Sequence, residues 1–440
     1  MIAAALLVAQ YVGTLDLADT TRVAGRATQP PQTIGTPPRE EVVIAMDVAT
    51  SATVRLGLHD RRWDYALGYT PTVTAADVEL GFAPQLLQAA TASVAWHDPR
   101  WRVVLSESAS FGLLNSAFLY SNPASASQTQ PGQGAAPTTM GANQGPMSGA
   151  GGMTTSTGLQ SVPQPHTITF GASNSSANIA FRASRRATLT LLGGFSFGGG
   201  LGTDAQTYLP LQENSIAGTT LAYSLSKSDR LSFATTASWT TTSGACPPGL
   251  GPAASTIPGA APPNCTEQVP SVQVQATINH ELTSASAVSV AGGVSALVGQ
   301  APGLEELVIV PTVSSTYTQT LGALAASRLS VNAQLAPTVD LLTGLPSTRV
   351  QVGASLSKTV LRALTVGLVA SGARSIPVPV RDLYPITLFG GGLTVAWQLE
   401  RQLALSAGLN ELWQNEAGYP TFSSTIAYVS ATTSLPTVRF

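Results

Sequence analysis

Along most of the chain, apolar residues occupy every second position over runs of about 8 to 14, and the positions between them are small or polar. From Thr188 to Phe197 the odd positions are Leu189, Leu191, Gly193, Phe195 and Phe197, and the even ones include Thr188, Thr190, Gly194 and Ser196. From Val272 to Glu281, Val272, Val274, Ala276 and Ile278 alternate with Gln273, Gln275, Thr277 and Asn279. The same pattern recurs in Leu231/Phe233/Ala237/Trp239, Leu329/Val331/Ala333/Leu335, Val350/Val352/Ala354/Leu356, Leu364/Val366/Leu368 and Leu393/Val395/Trp397/Leu399. A period of two predicts β-strands with one apolar face and one uncharged polar face, and helical periodicity is almost absent.

The connections alternate between short and long. Tight, charge-rich turns are predicted at His59 to Arg62, His97 to Arg100, Ser184 to Arg186, Lys227 to Arg230, Leu282 to Ser286, Ala325 to Arg328, Lys358 to Arg362 and at Glu400 and Arg401. The longest loop, 120–164, is low-complexity Gly, Pro, Ser, Thr, Gln and Met; it buries too little apolar surface to offset its ordering entropy and is expected to be disordered. A second long loop, 245–270, holds both cysteines. The unit that repeats is therefore one hairpin plus one outer loop. Two of its copies are visible in letters, as His59-Asp-Arg-Arg-Trp63 and His97-Asp-Pro-Arg-Trp101.

Composition sharpens this picture. Only 10% of the 440 residues are charged, against the roughly 25% usual for soluble domains. The net charge is −2 and no long basic run occurs, which removes the electrostatic footprint of a nucleic-acid binder. No window of 18 strongly apolar residues exists, so a helical membrane span is excluded as well. The first ten residues read either as a signal-like apolar segment whose true start lies upstream or as a buried first strand; with the Pro-rich stretch after them, 1–40 is assigned as an N-terminal segment. Cys246 and Cys265 enclose a Gly/Pro-rich stretch, which as a disulfide loop is worth about 3 kcal/mol and implies an oxidising compartment; two unrelated thiols are the alternative.

Extended chain crosses lipid only as a closed barrel, because every backbone polar group must find a partner within the protein. Charges then gather at the rims, the outer face turns apolar and the lumen face polar. Trp63, Trp96 and Trp101 flank two tight turns, where an aromatic girdle belongs. On these features the segment 41–440 resembles the bacterial outer-membrane β-barrel superfamily, a porin-like all-β fold. The resemblance implies short periplasmic turns, long external loops, a place in the outer membrane among its lipids, and assembly by the barrel-assembly machinery. The chain ends on Phe440 after Tyr428 and Val438, similar to the superfamily's aromatic C-terminal assembly signal. Ser430, Thr432, Ser434 and Pro436 depart from it and predict a bend before the end. Eight tight turns give sixteen strands, the segment after Asn415 adds one, and a partner near Glu41 to Val48 would make eighteen, with sixteen as the fallback. A β-propeller fits less well, because its blades would break each unit into four short strands.

No catalytic, metal or cofactor motif emerges: HExxH, CxxC and GxSxG are absent. His59 and His97 stand beside Asp60 and Asp98 and read as rim hydrogen bonds; Met140, Met147 and Met153 lie in the low-complexity loop. Passage or display remains. The candidate lumen residues Gln273, Gln275, Asn279, Asn332, Gln334 and Gln351 make a nearly uncharged, hydrogen-bonding wall that suits sugars or a polysaccharide chain. The other readings are a structural or adhesive barrel displaying its loops, and the outer-membrane element of a polysaccharide export route with periplasmic partners. One residue breaks the pattern, since Glu107 shares the parity of Trp101, Val103, Leu105, Ala109, Phe111 and Leu113. A β-bulge turning it into the lumen, beside Arg102 or Arg182, is the expected resolution, with a subunit contact or a protonated lipid-facing carboxyl as the alternatives.

Overall fold

The computed structural model describes residues 12–29, 43–75, 84–115, 167–202, 205–206, 211–245, 264–301, 304–321, 327–339, 346–361, 363–377, 386–416 and 422–439. The chain's first ten residues, the 120–164 loop with its three methionines, Cys246 and Phe440 lie outside them.

The strands are β1 (Val12–Gln29), β2 (Val43–His59), β3 (Trp63–Ala75), β4 (Gln85–His97), β5 (Trp101–Asn115) and β6 (Thr167–Arg182). They continue as β7 (Ala187–Gly200), β8 (Leu211–Ser224), β9 (Asp229–Ala245), β10 (Asn264–Thr283), β11 (Ser286–Ala301) and β12 (Leu304–Leu321). The last third holds β13 (Ser327–Val339), β14 (Pro346–Leu361), β15 (Leu364–Pro377), β16 (Ile386–Gln398), β17 (Leu403–Glu416), β18 (Phe422–Ser434) and a two-residue β19 (Val438–Arg439). Each strand pairs antiparallel with its sequence neighbours, and β1 pairs with both β2 and β18, so an 18-strand barrel closes with β19 as a short appendix beside β1. Among the described residues no helix is long and apolar enough to cross a membrane.

The closing strand is where the structure corrects the sequence reading. The first strand is Val12–Gln29, inside the segment assigned as N-terminal, and Glu41 to Val48 instead leads into and begins β2. The pattern of β1 hides it, because Asp16, Asp19, Arg22 and Arg26 interrupt the alternation. The barrel thus starts at residue 12 rather than 41. The cysteine loop is also shorter than expected: β9 runs to Ala245, which pairs with Asn264, and Cys265 stands within β10 opposite Gly244. The bend before the end is present, since β18 stops at Ser434 and residues 435–437 separate it from β19.

Directly opposed residues of neighbouring strands share a face, so the register divides the wall into two sides. Leu105, Phe111, Phe195, Phe233, Val274, Leu368 and Trp397 all fall on one side and are exposed. On the other side lie shielded residues such as Gln275, Ser295, Thr312 and Ile426, and the buried cluster Val269, Leu297 and Val310. The apolar, exposed side is the outside of the barrel, and the packed residues face in.

Candidate functional site

The outer face fixes how the barrel sits in a bilayer. Trp63 opens β3 and pairs with Trp96 near the end of β4, their rings 6.4 Å apart; Trp101 opens β5 and packs on Phe181 at 4.5 Å. With Tyr223 and Trp397 these rings stand at the tight-turn rim. A second ring, which the sequence reading missed, lies toward the long-loop side and includes Phe111, Trp239, Phe389 and Trp413, all exposed. Trp101 and Phe111 are ten positions apart on β5. At about 3.4 Å per residue and a tilt of about 40° that is about 26 Å, against the roughly 25 Å apolar band of outer-membrane barrels. The signal was available in the sequence, as the aromatics Phe111, Trp239 and Trp413 about ten residues beyond the tight turns at 97–100, 227–230 and 400–401. The chain is a closed antiparallel β-barrel whose outer face is apolar between two rings of aromatic side chains.

Glu107 sits between the two girdles. The register of β5 runs without a break from His97↔Arg102 to Leu87↔Gly112 on one side and from Trp101↔Phe181 to Asn115↔Thr167 on the other. There is no bulge between Leu105 and Ala109, so the expected turn into the lumen does not occur and Glu107 stays on the outer face, away from Arg102 and Arg182. Hydroxyls of β6 take the place of the expected basic partner: Ser173 donates to one carboxylate oxygen at 2.6 Å and Ser175 to the other. Around it lie hollows of about 330 and 480 Å³ floored by Ala90, Ala92, Ala109, Ala177 and Gly193.

The inner face is the candidate site. The register places Gln273, Gln275 and Asn279 of β10 and Asn332, Gln334 and Gln351 of β13 and β14 on it. Between the two groups, β11 and β12 contribute Ser295, Thr312, Ser314 and Thr316; Gln273 opposes Ser295, and Ser314, Gln334 and Gln351 form one row across three strands. The result is an amide and hydroxyl arc from β10 to β14. The Oε1 of Gln275 and the hydroxyl of Thr312 are shielded and make no hydrogen bond among the described residues. Asn174, Asn178, Asn214 and Asn410 face inward too and were legible by parity.

Arginines also face inward: Arg102 and Arg182 as the sequence reading placed them, and others that the nearly uncharged wall left out. Arg55, Arg102, Arg182, Arg230 and Arg328 line the tight-turn mouth, and Arg22 and Arg349 lie deeper. Inward acids with described side chains are Asp16, Asp47, Asp64 and Glu281. Arg22 of β1 lies 4.1 Å from the ring centroid of Tyr428 on β18, and the guanidinium feels the carboxylate of Asp47 on β2, so the closing seam carries a polar knot. Tyr428 therefore points into the barrel, whereas Val438 is exposed opposite Leu15 on the outer side. The shift of register between β18 and β19 puts the two on different faces, so they do not form one stripe as the C-terminal signal required.

At the tight-turn mouth the repeated His-Asp-x-Arg-Trp motif acquires a geometry. His59 ends β2, Asp64 follows Trp63 on β3, and His97 ends β4; all three face inward. His59 Nδ1 bonds one carboxylate oxygen of Asp64 and His97 Nε2 lies 3.4 Å from the other. The carboxylate shared by the histidines is thus Asp64 and not the adjacent Asp60 or Asp98. Asp64 spends one oxygen on each imidazole, and among the described residues no three His, Cys, Asp or Glu side chains are set to hold a metal ion.

No family model matches this chain, and neither does any curated protein. Among solved structures it is similar to the Pseudomonas aeruginosa protein OpdK with vanillate, at 9% identity and a TM-score of 0.48, covering 96% of this chain and 99% of that one. It is similar to OpdQ of the same organism at 8% identity and 0.45, covering 96% and 98%. The siderophore receptor PirA, also of Pseudomonas aeruginosa, aligns at 11% identity and 0.41, over 96% of this chain and 80% of the receptor.

Proposed function

We propose that the protein is an outer-membrane channel for hydrophilic, uncharged cargo, with sugars or a polysaccharide chain as the class that suits its wall. The observation that carries the reading is the amide and hydroxyl arc of β10 to β14. Eighteen strands about 4.8 Å apart and tilted about 40° close a backbone cylinder of about 18 Å radius, a width at which barrels enclose aqueous channels. A sugar presents donors and acceptors all round and gives up water hydrogen bonds on entering a confined pore; side chains such as Gln334 and Gln351 supply both kinds of partner in return. The inward arginines add a modest preference for anions over cations without excluding neutral solutes. The alternative, a barrel that only displays its loops, calls for no polar arc.

The test is reconstitution of the purified chain. In planar bilayers, stepwise conductance is expected, with partial block by linear oligosaccharides, and liposomes should swell in isotonic sugar at rates that fall with sugar size. Replacing Gln334 and Gln351 by Leu together should weaken the block while leaving conductance in place. Absence of conductance and swelling from correctly folded barrel would overturn the channel and favour display.

A further inference from the structure

We infer that the His59–Asp64–His97 bridge makes the ionic preference of the tight-turn mouth depend on pH, the two histidines being its selectivity determinants; this rests on the channel reading. With both imidazoles neutral the trio carries the single negative charge of Asp64. With both protonated it carries one net positive charge, a swing of two charges on the lumen face. An imidazole is the one side chain whose ordinary titration range lies between pH 5 and 8. Carboxylates and guanidinium groups ordinarily titrate outside that range, and the other charged groups that face this trio are of those two kinds. They are Arg55 on β2, Asp16 on β1 opposite Arg55, Arg102 on β5 opposite His97, and Arg182 diagonal to Arg102 on β6. The adjoining turns add Asp60, Arg61, Arg62, Asp98 and Arg100.

Both histidine side chains and the aspartate are more than one-third exposed, at 65%, 37% and 43%, so protons and mobile ions reach them. The two imidazoles share one carboxylate, so a charge placed on either changes the field at the other and the bridge acts as one electrostatic unit. Two charges added at about 10 Å from a passing ion, screened over a Debye length of about 10 Å in 0.1 M salt, change the ratio of anion to cation permeability about two- to three-fold. The arginines beside the trio set the sign: acidification reinforces a mouth that is already basic. Of the remaining histidines, His280 bonds Asp229 on the outer side of the rim and serves as a control.

The experiment is a reversal-potential measurement in a tenfold KCl gradient at pH 8.0 and pH 5.5. The wild-type chain should shift toward chloride by the two- to three-fold ratio on acidification. His59→Gln/His97→Gln should abolish the shift, His280→Gln should retain it, and Asp64→Asn should already favour chloride more than wild type at pH 8.0. A wild-type ratio indifferent to pH, or a shift that survives in the double variant, overturns the inference. Histidine 15N chemical shifts of the micelle-bound barrel provide a readout independent of conductance. His59 and His97 should titrate together and both move in Asp64→Asn; independent titration unaffected by that change also overturns it. A chain that shows the coupled titration but conducts nothing refutes the channel and not the bridge.

Discussion

At the scale of single residues, Glu107 and Gly408 show how far parity reaches. Parity put Glu107 on the apolar face, and the register agrees; the expectation that failed was the bulge invoked to rescue it, because two serine hydroxyls on β6 were overlooked as partners. Their own parity, shared with Ala177 and Ile179, was available. Acidic side chains on a lipid face near the midplane cost up to about 2 kcal/mol, and two hydroxyl donors recover part of it. Glu107→Leu should therefore raise the barrel's unfolding midpoint in urea, corresponding to about 1 kcal/mol; a clear loss of stability would mean that the carboxylate has a partner the outer face does not show. Gly408 presents the opposite case, an absence that matters. A Cβ there would come within 2.6 Å of the Tyr428 ring, which lies across the bare backbone of β17. Gly408→Ala should displace Tyr428 from beneath Arg22; loss of stability by about 1 kcal/mol, matched by Tyr428→Ala and not additive with it, is the expected signature.

At the scale of elements, seventeen strands were legible and the one that closes the barrel was not. The tight turns announced β2 to β17 through charge at regular intervals, and the segment after Asn415 announced β18. The missing strand, β1, has no tight turn before it and carries four charged residues, so neither signal applied. Its charges make sense only in the assembled barrel, where Arg22 meets Tyr428 and Asp47 from the strands on either side and Thr437 bonds Asp16. β1 makes twelve opposed pairs with β18 and seventeen with β2, so without it both flanking strands are bare edges, and edges are not tolerated in lipid. A chain shortened to begin at residue 30 should fail to give a heat-modifiable, protease-resistant band on refolding into detergent, whereas deletion of 120–164 should leave that band intact. A closed, resistant barrel from the shortened chain would show that β2 and β18 can pair directly. At the seam itself, Arg22→Ala removes the cation from the Tyr428 ring and should lower stability by about 1 to 2 kcal/mol.

At the scale of the whole molecule, the faces were legible and the charge on the inner one was misjudged. The notion of a nearly charge-free lumen came from reading the strand centres, where Gln273, Gln334 and their neighbours sit; parity placed Arg102 and Arg182 beside the lumen, but Arg55, Arg230 and Arg328 lie at strand ends beside turns, and Arg22 lies on the strand that was not read. Register decides it: Arg102 opposes His97 and Arg328 opposes Ser357, both on the inner face. The pore then has an amide and hydroxyl arc on β10 to β14 and a basic mouth, with Arg22, Asp47 and Arg349 set deeper, and arc and mouth act on different solutes. Neutral sugars respond to the arc through hydrogen bonds that salt hardly screens, while ions respond to the mouth through charge that salt screens within about 10 Å at 0.1 M and about 3 Å at 1 M. Raising KCl from 0.1 to 1 M at pH 7.5 should therefore collapse the chloride preference toward the mobility ratio of the two ions and leave the affinity for an oligosaccharide blocker almost unchanged. Replacing Arg102, Arg182 and Arg230 by Gln should reproduce the first effect at low salt without the second. If instead sugar block and chloride preference fall together, in salt or in the triple variant, the arginines and the amide arc form a single binding zone, and the separation of mouth from arc is wrong.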